Sequence, residues 1–226
     1  MKKLHLTLLV ALTICFVTKI NAQHKNYDIK NGFGLFGGIT QFDIITDNFE
    51  TTQGNGWIGG MSATVDLPHR WYNVSYGMQL SENNIGILGR SSILDLTPED
   101  IEYKLFTAQV ALLFHIKLIG SYVTIDAGPM LQYNSNLELK DDRQENYLIE
   151  NYTIVTAEDI SPISHVNFNG AIGLSAGFSH FRLKAQYIYG FTNMLNKLND
   201  EDFNDIEKKT FKGNQSILAL TAMITF

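Results

Sequence analysis

The chain has 226 residues, 45 % of them apolar and 18 % charged, with a formal net charge of −6. That balance is too apolar for intrinsic disorder, and no segment approaches the ~18 uninterrupted apolar residues of a membrane helix once the N-terminus is passed. The acidic excess and the lack of a basic patch disfavour nucleic acid as a partner.

Residues 1–22 read as a secretory signal peptide. Lys2 and Lys3 precede the apolar run LHLTLLVALTICFV, and Ala22 supplies the small residue before Gln23. The mature domain is then 23–226. The single cysteine, Cys15, falls inside the signal, where the large Ile14 before it is unlike a lipoprotein site. The mature chain therefore has no thiol for disulfides, cysteine-ligated metals or a cysteine nucleophile.

Eight segments of the mature chain alternate with the two-residue period of a strand. The first, GFGLFGGITQFDI from Gly32 to Ile44, is glycine- and phenylalanine-rich on both parities, and we read Phe36 and Phe42 as facing outward. In the second, Trp57, Met61 and Val65 oppose Ser62, Thr64 and Asp66; after LPHR, Tyr72 to Leu80 oppose Asn73, Ser75 and Gln79. Phe106 to Ile116 oppose Thr107, Gln109 and His115, and across KLIGS, Val123 to Tyr133 oppose Thr124, Asp126 and Gln132. Phe168 to Phe178 then oppose Asn169 and Ser175, and Phe181 to Phe191 oppose Arg182, Lys184 and Gln186. In the closing SILALTAMITF, Leu218, Leu220, Ala222, Ile224 and Phe226 share one face.

The connections alternate between short and long, the long ones spanning 45–55, 81–100, 134–165 and 193–214 and carrying 18 of the 23 acidic residues. Short turns on one side and long charged loops on the other predict an all-β fold: an eight-stranded antiparallel transmembrane β-barrel with short periplasmic turns and long extracellular loops, in the outer membrane of a Gram-negative cell. Ten steps from Phe181 to Phe191 at about 3.3 Å rise and about 40° tilt span roughly 25 Å, the height of a lipid-facing band. A soluble barrel would turn its apolar face inward, and the opposite faces here are too polar for a dry core. The last strand is expected to pair with the first, leaving no edge, with Phe226 toward lipid. Outer-membrane lipid is the expected surrounding and a monomer the expected state. The connection 134–165 reads either as a hairpin continuing its flanking strands above the membrane or as a solvated loop.

Three passages, YVTIDAGPMLQY (Tyr122 to Tyr133), GAIGLSAGFSHFRLKAQYIYGFTNM (Gly170 to Met194) and the alternating end at Phe226, resemble the PorT-like outer-membrane β-barrel family. The resemblance implies the same fold and location, and its name-giving member is tied to type IX secretion, which implies secretion-system proteins as partners. A terminal aromatic on an alternating last strand also resembles the signal read by the barrel-assembly machinery. No active-site residues transfer from the family.

No cofactor, metal or catalytic residue is expected from the motifs. The glycines near Gly34 precede no helix that would cradle a phosphate, and His69, His115, His165 and His180 lack metal-ligand spacing. Asp66, Asp126, Arg182 and Lys184 fall on the lumen face and read as a structural polar network, with Asp126 paired to Arg182 or Lys184. The main reading is a non-enzymatic barrel acting structurally, through its loops, or in association with secretion. The alternatives are a narrow pore and a rim-site enzyme built from Glu158, Asp159, Ser161, Ser164 and His165.

Overall fold

The computed structural model describes residues 32–226 apart from 66, 68–69, 96, 179 and 201–209, so the expected signal peptide and Asp66 lie outside the described residues. In chain order the strands are β1 (Gly32–Thr46), β2 (Thr51–Val65), β3 (Tyr72–Arg90), β4 (Glu99–Ile119), β5 (Val123–Asn134), β6 (Glu138–Leu139), β7 (Leu148–Ile149), β8 (Val166–Gly177), β9 (Phe181–Gly190) and β10 (Gly213–Thr225). The eight long ones form an antiparallel ring in the order β1-β2-β3-β4-β5-β8-β9-β10, closed by β10 on β1. Gly34 pairs with Thr225, and the Phe226 amide donates to the Phe33 carbonyl at 2.9 Å, so the terminal strand has a partner along its length.

Register fixes the shape of this ring. Following paired residues from Asn73 through His115, Asp126, Gly173, Gln186, Ala219, Thr40 and Gly56 leads back to β3 at Asn83, a stagger of 10 residues. With about 3.3 Å per residue and about 4.8 Å between strands, that stagger tilts the strands by roughly 40°. Each step to the paired residue on the next strand, taken in that direction, climbs about 3 Å along the barrel axis.

The outward parity is apolar, as the alternation requires of a surface that meets hydrocarbon. Ile39, Met61, Met78, Val110, Leu131, Ile172, Leu183 and Leu220 are all exposed. Exposed Phe106, Tyr133, Phe168 and Phe191 gather toward the long-loop end, and Trp71, Tyr122, Phe178, Phe181 and Phe226 toward the short-turn end. These are the two aromatic girdles that flank the apolar band of a membrane barrel.

The first strand departs from expectation. Phe42 is fully buried and Phe36 also points inward, while Phe33, Leu35, Ile39 and Ile45 are exposed. Pairing sets Phe42 opposite Ile217 and Phe36 opposite Met223, both on the inner face of β10. Phe42 joins the apolar inner face of the upper barrel, where a phenylalanine satisfies either parity, and Phe36 faces the lumen lower down beside Lys184, so composition alone does not decide.

The connections also differ from expectation. Much of 45–55 and 81–100 is strand, so that β3 and β4 rise as a protruding hairpin joined through 91–98. The segment between β5 and β8 is neither a continued hairpin nor a free loop. Its short strands separate, β6 pairing with β4 and β7 with β3. Arg90 at the top of β3 holds Glu150 with two hydrogen bonds, Nε to Oε2 at 2.9 Å and Nη2 to Oε1 at 2.5 Å.

The segment then folds inward. Leu137, Ile149, Val155, Ile160 and Ile163 are buried, and they join Ile44, Ile85, Ile87, Ile101, Tyr103 and Leu105 of the strands and Met194, Leu195, Leu198 and Phe211 of the last connection in one apolar core above the lumen. The Tyr103 hydroxyl donates to the Ala157 carbonyl at 2.9 Å, which gives the largest side chain of this core its polar partner.

Candidate functional site

The lumen below the apolar core is built in three levels. Uppermost is a belt of amides. Gln79 donates to Gln109, and Gln109 to Gln132. Gln132 and Gln215 exchange hydrogen bonds at 2.6 and 2.7 Å, and Asn169 donates to Gln132 at 2.8 Å. Since β5 and β10 are separated in the ring by β8 and β9, the Gln132–Gln215 pair crosses the barrel interior. Thr40 reaches Asn83 at 2.6 Å over the intervening strand β2. The residue between them is Gly56, where a Cβ would lie 2.7 Å from the Thr40 hydroxyl and 2.2 Å from the Glu82 carbonyl. A side chain there would occupy the path of that bond.

Beneath the belt the side chains thin out. Gly38, Gly60, Gly77, Gly128 and Gly173 stand on the inner face of five different strands and, by the stagger, within about 5 Å of one height. Inward-pointing Phe36, Ser62, Lys184 and Thr221 remain partly accessible around them. The Lys184 ammonium lies 5.8 Å from the Phe36 ring centroid. The glycines therefore leave space in the middle of the barrel.

The lowest level is a continuous polar chain across five strands. His115 Nδ1 lies 2.7 Å from Asp126 Oδ1, and His115 Nε2 lies 2.7 Å from Ser75 Oγ. An ionised carboxylate only accepts, which places the imidazole proton on Nδ1 and leaves Nε2 to accept from the Ser75 hydroxyl. From the other side Arg182 Nη1 donates to Ser175 at 2.9 Å, Ser175 meets Thr124 at 2.7 Å, and Thr124 donates to Asp126 at 2.6 Å. Arg182 Nη2 donates to the Ser121 carbonyl. Both arms thus direct their donors toward one buried carboxylate.

This placement replaces the expected ion pair. Asp126 is bound by His115 and Thr124; Arg182 donates to Ser175 and Ser121, and Lys184 sits over Phe36. Ser75 and His115 have the roles that the sequence left unassigned. They come together with Asp126 by register: His115 pairs with Asp126 across the β4–β5 hairpin, and Asn73, two residues before Ser75, pairs with His115. His115 lies two residues before the KLIGS turn and Asp126 five after it, and their place on the two strands that this turn joins is the one signal in the sequence that foreshadows their contact.

The rim cluster does not converge. Asp159 accepts from the Thr156 amide and hydroxyl at 2.8 Å each, Ser161 turns to the Ala157 carbonyl at 3.5 Å, and His165 Nδ1 lies 3.1 Å from the Asn134 carbonyl with its ring stacked on Tyr133. The Ser164 amide donates to the Met194 carbonyl at 2.8 Å and the Glu158 amide to the Glu145 carbonyl at 3.1 Å. None of these contacts joins a nucleophile to a base. Among the described residues, no group of three or more His, Asp or Glu is arranged to hold a metal ion.

No protein-family model matches the chain, and no curated protein matches it. Among solved structures it is similar to Neisserial surface protein A, with a TM-score of 0.51 and 10 % identity over 86 % of this chain and 97 % of that one. OprG from Pseudomonas aeruginosa (TM-score 0.44, 11 % identity, 87 % and 96 % covered) and Ail of Yersinia pestis (0.42, 12 %, 87 % and 99 %) also match. The likeness to the neisserial protein is one of fold: an eight-stranded barrel of the outer-membrane type.

Proposed function

We propose that this protein is an outer-membrane barrel sealed at its extracellular end, whose working surface is its ordered extracellular cap, acting by binding rather than by conducting solutes. The observation that carries this reading is the bond between Gln132 and Gln215 across the lumen, roofed by the apolar core. A pore of this width needs a continuous wet path, and side chains of an eight-stranded barrel can fill it.

The same packing supports the binding role, because loops anchored by buried Ile160, Ile163, Leu195 and Phe211 present their outer surface with little ordering left to do. The cap's exposed hairpin tip carries Ile93 and Leu94, the latter 91 % exposed, beside Asp95, Glu99 and Asp100. An apolar pair with an acidic surround suits a protein partner that offers an apolar pocket with a basic rim. Secretion-system proteins are the partner class that the PorT-like motifs imply, and the barrel-assembly machinery is the one that Phe226 implies.

Two measurements test the reading. The refolded barrel in a planar bilayer is expected to give no open-channel steps, and sustained steps would overturn the sealed lumen. A mild-detergent pull-down from native outer membranes is expected to recover a protein partner that Ile93→Ser with Leu94→Ser loses. Recovery unchanged by that double substitution would remove the tip from the binding surface.

A further inference from the structure

We propose that Ser75, His115 and Asp126 form an acyl-transfer site opening on the glycine-lined space of the lumen, an activity separate from the cap. The argument starts with the two 2.7 Å bonds, hydroxyl to imidazole and imidazole to carboxylate, which are the nucleophile–base and base–orienter contacts that serine catalysis needs. All three side chains are held on strands, with Ser75 3 %, His115 7 % and Asp126 1 % exposed, so the geometry does not depend on a mobile loop. Thr124 donates to the same carboxylate oxygen, Oδ1, at 2.6 Å and so fixes the oxygen that faces His115.

A structural network would stop there, with every buried group satisfied. This one leaves groups over. Among the described residues the buried Asn73 side-chain amide nitrogen has no hydrogen-bond partner; it lies on the same face of β3 as Ser75, and Asn73 is paired in register with His115. Asn73 Oδ1 accepts from the Leu67 amide at 3.2 Å, and the nitrogen remains a donor two residues from the nucleophile that an oxyanion could take up. Gln186 Nε2 is likewise buried and unpartnered, on the inner face of β9. The space above the triad exists because Gly77 follows Ser75 on the inner face of β3 and Gly173 is paired with Asp126. Phe36 and Lys184 face it from β1 and β9, an apolar surface beside a cation, which favours a small ester whose acyl group is apolar and whose other end is anionic.

In the reaction, Ser75 Oγ attacks the ester carbonyl carbon as its proton passes to His115 Nε2, and the carbonyl π pair moves onto oxygen, toward Asn73. Collapse breaks the bond to the alkoxy group, which leaves with the proton from His115, and the acyl group remains on Ser75. Water then gives a proton to His115 and hydroxide to the acyl carbon. The second collapse releases a carboxylic acid and returns the proton to Ser75. Asp126 touches no reacting atom and acts as a positioning residue that holds the imidazole tautomer.

The test uses the mature barrel refolded in detergent, with heat-modifiable gel migration as the check of folding. Diisopropyl fluorophosphate is expected to modify the folded protein at Ser75, located by peptide mapping, and p-nitrophenyl acetate is expected to be hydrolysed. Ser75→Ala should abolish both, and Asp126→Asn should slow modification by at least about 100-fold while the gel shift persists. Peptide mapping of the unsubstituted protein keeps the test valid even if a variant misfolds. Modification no faster in the folded protein than after heat unfolding, modification at another residue, or a rate unmoved by Asp126→Asn would each overturn the proposal.

Discussion

The two ends of the lumen solve the same packing problem with opposite chemistry. The upper end is a dry core of Ile44, Ile87, Ile101, Tyr103, Ile149 and Ile160, all fully buried. The lower end is a hydrogen-bonded chain from Arg182 to Ser75 with glycines above it. Dispersion and burial hold the first and need only approximate shape, whereas the second depends on every donor finding its acceptor. Loops can be recruited into an apolar core from distant parts of the sequence; a polar chain must be laid out on strands whose register is fixed. That is why the cap is made of connections and the lower lumen is not.

The sharpest way to break the comparison is at the top. Tyr103→Ala should cost about 3–5 kcal/mol, since it empties a fully enclosed aromatic site and removes the donor to Ala157. The loss should appear first as cleavage of 134–165 by an added protease, with the strands still folded on a heat-modifiability gel. Simultaneous melting of cap and barrel would mean that the two ends form one cooperative unit.

At the bottom, Asp126→Asn keeps the volume but replaces an acceptor for His115 and Thr124 with a mixed donor and acceptor, for an expected cost of about 1–3 kcal/mol in urea unfolding. The cap should retain its protease resistance. Between the two levels, Gly56→Val should cost about 1–3 kcal/mol, because the new side chain meets the Glu82 carbonyl and displaces the Thr40–Asn83 bond. Restoration of stability by Thr40→Ala in that background would show that the bond's path, rather than the backbone, is the site of conflict.

How much of this was legible follows from the same contrast. Period-two alternation identified the eight ring strands and the outward faces of seven, because lipid imposes one rule on that surface along its whole height. It failed for Phe42, where the inside is apolar too, and for Phe36, which faces the lumen beside Lys184. The cap was invisible because its residues, Ile149, Val155 and Ile160 among them, belong to connections that have no period, although they share a core with strand residues such as Ile87 and Tyr103. The polar residues of the lumen were legible as a set, but their partners were not: the stagger of 10 residues decides who meets whom, and it is a property of the closed ring. His115 was assigned no role for that reason, although it is the link between Ser75 and Asp126.

The smallest expected effect lies outside both ends, at the hairpin tip. Asp95 Oδ1 accepts from the Thr97 hydroxyl at 2.6 Å and the Thr97 amide at 3.1 Å, and Ser91 donates to Oδ2 at 2.7 Å. These donors, the Thr97 hydroxyl first, lower the Asp95 carboxyl from its ordinary 3.8 to about 2. A carboxyl lowered by folding contributes order that is fully present above its unfolded value and is lost as pH falls through the folded one. The turn should therefore stay ordered at pH 4 and loosen through about pH 2, read from the Thr97 amide resonance of the barrel in detergent. Asp95→Asn should remove the transition and leave thermal unfolding of the barrel unchanged, because the group sits at the hairpin tip where solvent screens it. A midpoint near 3.8 would mean that solvent competes the three donors away, and the ordered display of Ile93 and Leu94 would lose its support.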